Sequence, residues 1–143
     1  MTLENILYAI TELGIKQKVI NFAAAGADIY AALNDITIKD YPILFVSPTG
    51  SHTVGENTTQ WSITLYYLDR LLDDSSNDVG LMSTAIEQLK NMVLWIKNIT
   101  GVVDVETQYD VRHFTDTESF NDKVCGAWTT VRIETLNAYI CPE

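Results

Sequence analysis

The feature that most constrains the fold is the segment from Trp61 to Asn77, where an alternating apolar run leads through a polar turn into a helical pattern. Alternation with a period of two is typical of a strand with one buried face. The apolar face of this predicted strand carries Trp61, Ile63, Leu65 and Tyr67, with Tyr66 on the opposite face. The polar turn after it predicts a helix start, with Ser75 and Asp78 forming a capping box.

The helix that follows is predicted from about residue 78 to residue 98. One face of it collects large apolar side chains, the arrangement of a helix packed on a core. This stripe consists of Leu81, Ala85, Leu89, Met92, Val93 and Ile96. Thr100 and Gly101 follow, and glycine there favours the left-handed conformation that commonly ends a helix.

Beyond this helix, residues 103 to 111 alternate more regularly than any other part of the chain. The pattern predicts one continuous strand whose buried face carries Val103, Val105, Thr107, Tyr109 and Val111. Its other face is polar and acidic, with Asp104, Glu106 and Asp110. This acidic face is open to solvent, to a lumen or to a neighbouring subunit.

The remaining segments complete an α+β pattern. A helix is predicted over residues 2–13, with Thr2 as its N-cap, and strands over residues 18–23, 41–46 and 127–140. Residues 27–33 favour one or two helical turns. Two stretches rich in polar and turn-forming residues, Ser47–Thr58 and His113–Lys123, are predicted to be extended loops. We therefore expect one domain over residues 1–143, a mostly antiparallel sheet with two main helices packed on one face.

Charge and composition restrict the classes of function. The 143 residues carry a formal charge of −10, which argues against a surface that binds the phosphates of nucleic acid through Lys and Arg. An acidic surface can still let DNA slide past without adhering. The N-terminal segment lacks the pattern of a secretory signal, and no apolar run is long enough to span a membrane. The two cysteines, Cys125 and Cys141, are interpreted as free thiols.

No catalytic or metal-binding motif occurs, so we expect no enzyme, no metal and no cofactor. His52 and His113 fall in predicted loops, where a solvated imidazole needs no special role. The aromatic residues Trp61, Trp95 and Trp128 are interpreted as core residues. Asp69 and Arg70 end the predicted strand, and we interpret them either as a local ion pair or as a contact between subunits.

The order of these elements resembles that of the small tail-completion proteins of tailed bacteriophages, which include tail terminators and head-to-tail connector subunits of the neck. The resemblance lies in Tyr41-Pro-Ile-Leu-Phe-Val-Ser-Pro, in the strand that ends Tyr67-Leu-Asp-Arg-Leu, in Asp73-Asp-Ser-Ser-Asn77 and in the helix that follows. It covers most of the chain as an order of elements and includes no catalytic motif.

This resemblance implies a virion protein that forms a hexameric or dodecameric ring at the phage neck or tail, assembled in the host cytoplasm beside neck and tail-tube proteins. DNA would pass through the ring without specific binding, and no membrane is involved. The candidates for contacts between subunits are Asp69, Arg70, His52, Glu56, Asp116 and Glu118, and the candidates for an acidic lumen are Asp104, Glu106 and Asp110.

A second hypothesis accounts for the same charge. A small acidic cytoplasmic adaptor or inhibitor that binds a basic partner would also carry a strongly negative surface. The two hypotheses differ in assembly, because a ring subunit forms higher oligomers on its own and an adaptor stays a monomer or dimer until its partner is present.

Overall fold

The computed structural model of the chain describes residues 1–17, 20, 22–29, 41–72, 76–116 and 123–137. Within these residues the chain forms two helices and six strands. In chain order they are α1 (Leu3–Lys16), β1 (Phe22–Ala25), β2 (Ile43–Val54), β3 (Thr58–Arg70), α2 (Asp78–Ile96), β4 (Val102–Val105), β5 (Val111–Asp116) and β6 (Val124–Leu136).

The six strands form one sheet in which β6, the last strand described, occupies a central position. The order is β1, β2, β3, β6, and both β4 and β5 pair with the far side of β6. These two short strands lie in series along it, β5 opposite residues 124–129 and β4 opposite residues 133–135. All pairings are antiparallel except that of β1 with β2. The mostly antiparallel α+β fold is confirmed.

Both helices pack on one face of the sheet, which we call the helix-packed face. Ile6 and Ile10 of α1 form a single buried cluster with the inward residues of the central strands and with the apolar stripe of α2 from Ala85 to Ile96. Leu81, the first residue of the predicted stripe, is half-buried and is not part of this cluster. The sheet contributes Leu44, Val46, Ile63, Leu65, Tyr67, Val105, Ala127, Val131 and Ile133 to this cluster. The periodicities predicted for the Trp61 strand and for α2 are therefore confirmed, as is that of the final strand up to Leu136; residues 138–140 of that prediction lie outside the described residues.

The opposite side of the sheet, which we call the second face, holds a smaller apolar cluster at one end. Its buried members are Ile29, Ile43, Phe45, Leu68 and Val124, and Tyr66 and Phe114 pack against them. Neither α1 nor α2 contributes a residue to this cluster. Toward the other end, the second face carries polar and charged residues.

The start of α2 differs from the predicted capping box. Helix α2 begins at Asp78 with Asn77 as its N-cap, and the Asn77 side chain makes no capping hydrogen bond. Instead, Asn77 Oδ1 accepts from the Leu72 backbone N–H at 2.9 Å, and its Nδ2 donates to the Arg70 carbonyl at 3.3 Å. The amide thus ties the end of β3 to the start of the helix, and Ser75 lies outside the described residues.

The first predicted loop, Ser47–Thr58, is wrong. Strand β2 continues to Val54 and β3 begins at Thr58, so only residues 55–57 connect them. The register shifts between Pro48 and His52, where Gly50 adopts a positive φ of 87°. Turn-forming residues therefore produce a bulge within a long hairpin rather than a loop.

Asn137 holds the connection between these two strands. Its backbone N–H donates to the Asn57 carbonyl, and its side-chain amide donates to the Gly55 and Glu56 carbonyls. Its Oδ1 accepts from the Thr59 hydroxyl at 2.6 Å. These partners are about 80 positions away in the chain, so local sequence patterns cannot reveal them.

The predicted continuous strand from Val103 to Val111 is also wrong, because the chain leaves the sheet between β4 and β5. The register shifts at Val103, whose side chain is 54% exposed, while Val105 is buried. The second predicted loop begins too early, since residues 111–116 form β5 and place His113 in a strand. Residues 117–122, with Glu118, lie outside the described residues.

Three further predictions concern segments that lie partly or wholly outside the described residues. The strand predicted over residues 18–23 overlaps the observed β1, Phe22–Ala25, at residues 22 and 23; Ile20 is not in a strand, and residues 18, 19 and 21 lie outside the described residues. The helical turn predicted over residues 27–33 lies largely outside the described residues, as does Cys141. Cys125 is a buried free thiol in β6. No helix within the described ranges combines the length and apolar character needed to cross a membrane.

Candidate interaction surface on the second face

The three acids predicted to line a lumen lie close together at the second face. Asp104 and Glu106 border a depression of about 230 Å³ that Gln60, Arg132 and Glu134 complete. Glu106 also borders a larger depression of about 480 Å³, which includes Asp110. The remaining residues of the larger depression are Gln108, Tyr109, Arg112, Trp128 and Thr130. We call the two depressions together the acidic furrow.

The acidic furrow has a more mixed charge than the sequence predicts. Strand β6 adds Glu134 and Arg132 to it, and β5 adds Arg112. The alternation of β6 does indicate that Arg132 and Glu134 point away from Val131 and Ile133. What it cannot indicate is that β6 pairs with β4, which places Glu134 opposite Asp104. Acidic residues still outnumber basic residues in the furrow.

Glu106 has a structural role in addition to its charge. Its backbone N–H donates to the Arg132 carbonyl at 2.9 Å, and its Oε2 accepts from the Arg132 backbone N–H at 3.1 Å. The side chain thus supplies a partner for β6 at the point where β4 has ended. Nearby, the Thr129 hydroxyl donates to the Asp110 carbonyl at 2.6 Å. These contacts hold the segment between β4 and β5 against the sheet.

An aromatic group lies beside the acidic furrow. The Trp128 and Tyr66 rings stack at a centroid distance of 6.2 Å, and Phe114 meets Tyr66 edge-on at 5.9 Å. The Arg112 guanidinium lies 5.7 Å from the centroid of the Trp128 ring, within the range of a cation–π contact. Trp61 and Trp95 pack against the helix-packed core as predicted, whereas Trp128 is half-buried on the second face and belongs to neither apolar cluster.

The candidates for subunit contacts lie at two different ends of the sheet. Arg70 and Asp116 both pair with Val124 of β6, one from each side. His52 and Glu56 lie at the opposite end, in the β2–β3 hairpin. The structure therefore separates these residues into two groups, while Glu118 lies outside the described residues.

At the end of β3, the side chain of Asp69 contacts the backbone of Arg70. The Asp69 Oδ1 accepts from the Arg70 backbone N–H at 2.7 Å. The Arg70 guanidinium lies over the Tyr41 ring, 5.3 Å from its centroid. Arg70 thus places its charge beside an aromatic ring at this end of the sheet.

Two tyrosines have perturbed ionisation. Burial, together with the smaller effect of the negative charge of Asp69, raises the pKa of Tyr67 to about 12. Burial also raises the pKa of Tyr109 in the acidic furrow, and the charge of Lys90 opposes that shift. Both phenols stay neutral at physiological pH, so they act as hydrogen-bonding groups rather than as bases.

The described residues contain no group of three or more His, Cys, Asp or Glu side chains that could hold a metal ion. No known protein family has a model that matches this chain, and a search of curated proteins finds none that matches it. The geometry of the second face and of the sheet edges is therefore the basis for assigning a function.

Proposed function

We propose that this chain is a structural virion protein of a tailed bacteriophage, a tail terminator or head-to-tail connector that forms a ring at the neck or tail tube. The observation that carries the proposal is the separation of the two sheet faces. The two helices bury one face, and acids gather in a furrow on the other.

The charge of the second face suits a surface past which DNA moves. Asp104, Glu106, Asp110 and Glu134 outnumber Arg112 and Arg132, and the chain as a whole carries −10. Such a surface repels phosphates, so it would not retain a passing genome. The mixed charge also keeps mutual repulsion between neighbouring copies lower than an all-acidic face would.

The two ends of the sheet suit the contacts of a closed ring. A head-to-tail ring requires two different, complementary surfaces on each copy. One end carries Arg70 and Asp116 beside Val124, and the other carries the hairpin with His52 and Glu56. At the hairpin end, Val54 is 77% exposed and Leu136 is 57% exposed, which provides apolar contact area.

Assembly is the first test. Size-exclusion chromatography with light scattering and negative-stain microscopy of the purified full chain should show an annulus of six or twelve copies. A monomer or dimer at all concentrations would contradict the ring and would favour an acidic adaptor that needs a basic partner.

The second test concerns the lumen. The double charge reversal Asp104→Lys with Asp110→Lys changes the second face and leaves the structural Glu106 intact. The matched control, Glu4→Lys with Glu87→Lys, makes the same change in net charge on the exposed surfaces of α1 and α2. In a phage carrying these changes, we expect slower genome passage for the first pair alone. Unchanged infectivity, or an equal loss for both pairs, would contradict an acidic lumen.

A further inference from the structure

A bulge in β2 leaves the backbone of Ser62 without its regular partners in the neighbouring strand. The register between β2 and β3 runs from Pro48 opposite Ile63 directly to His52 opposite Trp61. Ser62 lies between these two pairs, facing the residues of the bulge. In a regular ladder its N–H and carbonyl would meet backbone groups of β2.

Two side chains replace those missing backbone groups. His52 Nδ1 accepts from the Ser62 N–H at 3.2 Å, and the Thr49 hydroxyl donates to the Ser62 carbonyl at 3.1 Å. Backbone polar groups away from water need partners, so these two contacts hold the bulged part of β2 against β3. The His52 ring also meets the Trp61 ring at a centroid distance of 5.1 Å.

The contact from Ser62 requires a neutral imidazole. A backbone N–H can only donate, so Nδ1 must carry a lone pair and the ring proton must sit on Nε2. In the protonated ring both nitrogens carry hydrogen, and Nδ1–H would then face the Ser62 N–H. Protonation therefore removes the acceptor and leaves a donor facing a donor.

One charged side chain borders the same depression as His52. This depression of about 200 Å³ is also lined by Ser51, Thr53, Gln60, Ser62 and Arg132, and Arg132 is its one charged residue. In the adjoining depression of the acidic furrow, Arg132 is accompanied by the acids Asp104, Glu106 and Glu134.

We propose that His52 is an acid-sensitive latch, which holds the bulged part of β2 between Pro48 and His52 against β3 at neutral pH and releases this bulge when the imidazole is protonated. Histidine is the side chain that ordinarily changes charge between pH 5 and pH 8. The rest of the sheet, including the β3–β6 ladder, does not depend on this contact. The latch is a property of the single chain and holds whether or not the chain forms a ring.

Amide hydrogen exchange on the ¹⁵N-labelled full chain tests the latch, with each rate divided by the rate for an unstructured amide at the same pH. Between pH 8 and pH 5 we expect the protection of the Ser62 amide to fall roughly tenfold, as expected for the loss of one hydrogen bond. The Ile133 amide in the centre of β6 reports whether the fold as a whole persists.

Two variants separate the latch from a general effect of acid. In His52→Asn the side-chain oxygen can take the place of Nδ1 as acceptor without titrating, so protection at Ser62 should not change between pH 8 and pH 5. In His52→Phe the acceptor is absent, so protection should be low at both pH values while Ile133 stays protected.

Several results would overturn the latch. One is equal protection of Ser62 at pH 8 and pH 5 in the wild-type chain. Another is a loss of Ser62 protection between pH 8 and pH 5 in His52→Asn that equals the loss in the wild-type chain. Full protection of Ser62 in His52→Phe at pH 8 would show that another group accepts this hydrogen bond.

Discussion

The helix-packed face and the second face of the sheet are built from the same strands, yet they are stabilised in different ways. On the helix-packed face, side chains of both helices and four strands bury one another in a single cluster. The second face has a smaller apolar cluster at one end, and toward the other end individual polar contacts, such as that of Glu106 with the backbone of Arg132, hold the chain in place. A face formed by packing tolerates few changes of volume, whereas a face formed by polar contacts leaves surface available for other molecules.

The largest effect is expected at Gly126, where β6 approaches β3 most closely. A Cβ at this position would overlap the Tyr67 carbonyl oxygen, a backbone atom that cannot move without separating the two central strands. We expect Gly126→Ala to lower the free energy of unfolding by about 4 kcal/mol, at the upper end for single substitutions. Urea denaturation measures this change.

Gly80→Ala is the matched control for Gly126→Ala. Gly80 lies in the first turn of α2, and a Cβ there would meet no atom within 4 Å. Alanine favours helix over glycine by about 1 kcal/mol, so this variant should be as stable as the wild type or more so. Similar destabilisation by both variants would show that the close approach of β3 and β6 is not the cause.

A pair of truncations compares the two faces directly. Leu89 of α2 is fully buried on the helix-packed face, and we expect Leu89→Ala to cost about 3 kcal/mol through lost burial and a cavity. Trp128 of the second face is only partly buried. Although its side chain is larger, we expect Trp128→Ala to cost less, about 1 to 2 kcal/mol. Equal losses in urea denaturation would show that both faces are packed cores.

The ionisation of Tyr67 extends the comparison to alkaline pH. Its pKa is about 12 in the folded chain and near the ordinary 10 when unfolded, so folding favours the neutral phenol. This contribution is fully present below pH 10 and is lost as the pH rises toward 12. We expect the free energy of unfolding to fall by roughly 2 to 3 kcal/mol across that window. In Tyr67→Phe this part of the pH dependence should disappear; an unchanged slope would assign it to other groups.

The smallest effect concerns the polar contact at the break between β4 and β5. Removing the carboxylate in Glu106→Ala leaves the Arg132 N–H without its acceptor, at a cost of about 1 kcal/mol. Glu106→Gln keeps a side-chain oxygen and should recover most of this stability. If Glu106→Gln is as unstable as Glu106→Ala, the charge rather than the hydrogen bond is responsible.

Side-chain periodicity predicted which residues are buried better than it predicted where strands pair with their neighbours. The alternation from Trp61 to Tyr67 and the apolar stripe of α2 correctly identified the buried residues, because burial on one side of an element repeats with its geometry. The alternation from Val103 to Val111 failed, since it does not show where a strand leaves its neighbour. Turn-forming residues from Ser47 to Thr58 likewise indicated irregular backbone without distinguishing a bulge from a loop.

The sequence predicted some of the residues of the candidate site, but it did not predict which other residues lie beside them. Asp104, Glu106 and Asp110 were identified as a group, and the structure brings them together. The contributions of Arg132, Glu134 and Trp128 depend on which strands flank β6, and that register joins residues far apart in the chain. The structural roles of Asn137 and His52 depend on long-range pairing in the same way.

The central position of β6 has a consequence for biosynthesis. Strands β3, β4 and β5 are all translated before β6, yet each of them pairs with it. Until residues 124–136 have emerged from the ribosome, these strands expose edges and apolar surface that have no partner, which makes a nascent chain prone to aggregation. The sheet can therefore be completed only after β6 has been synthesised.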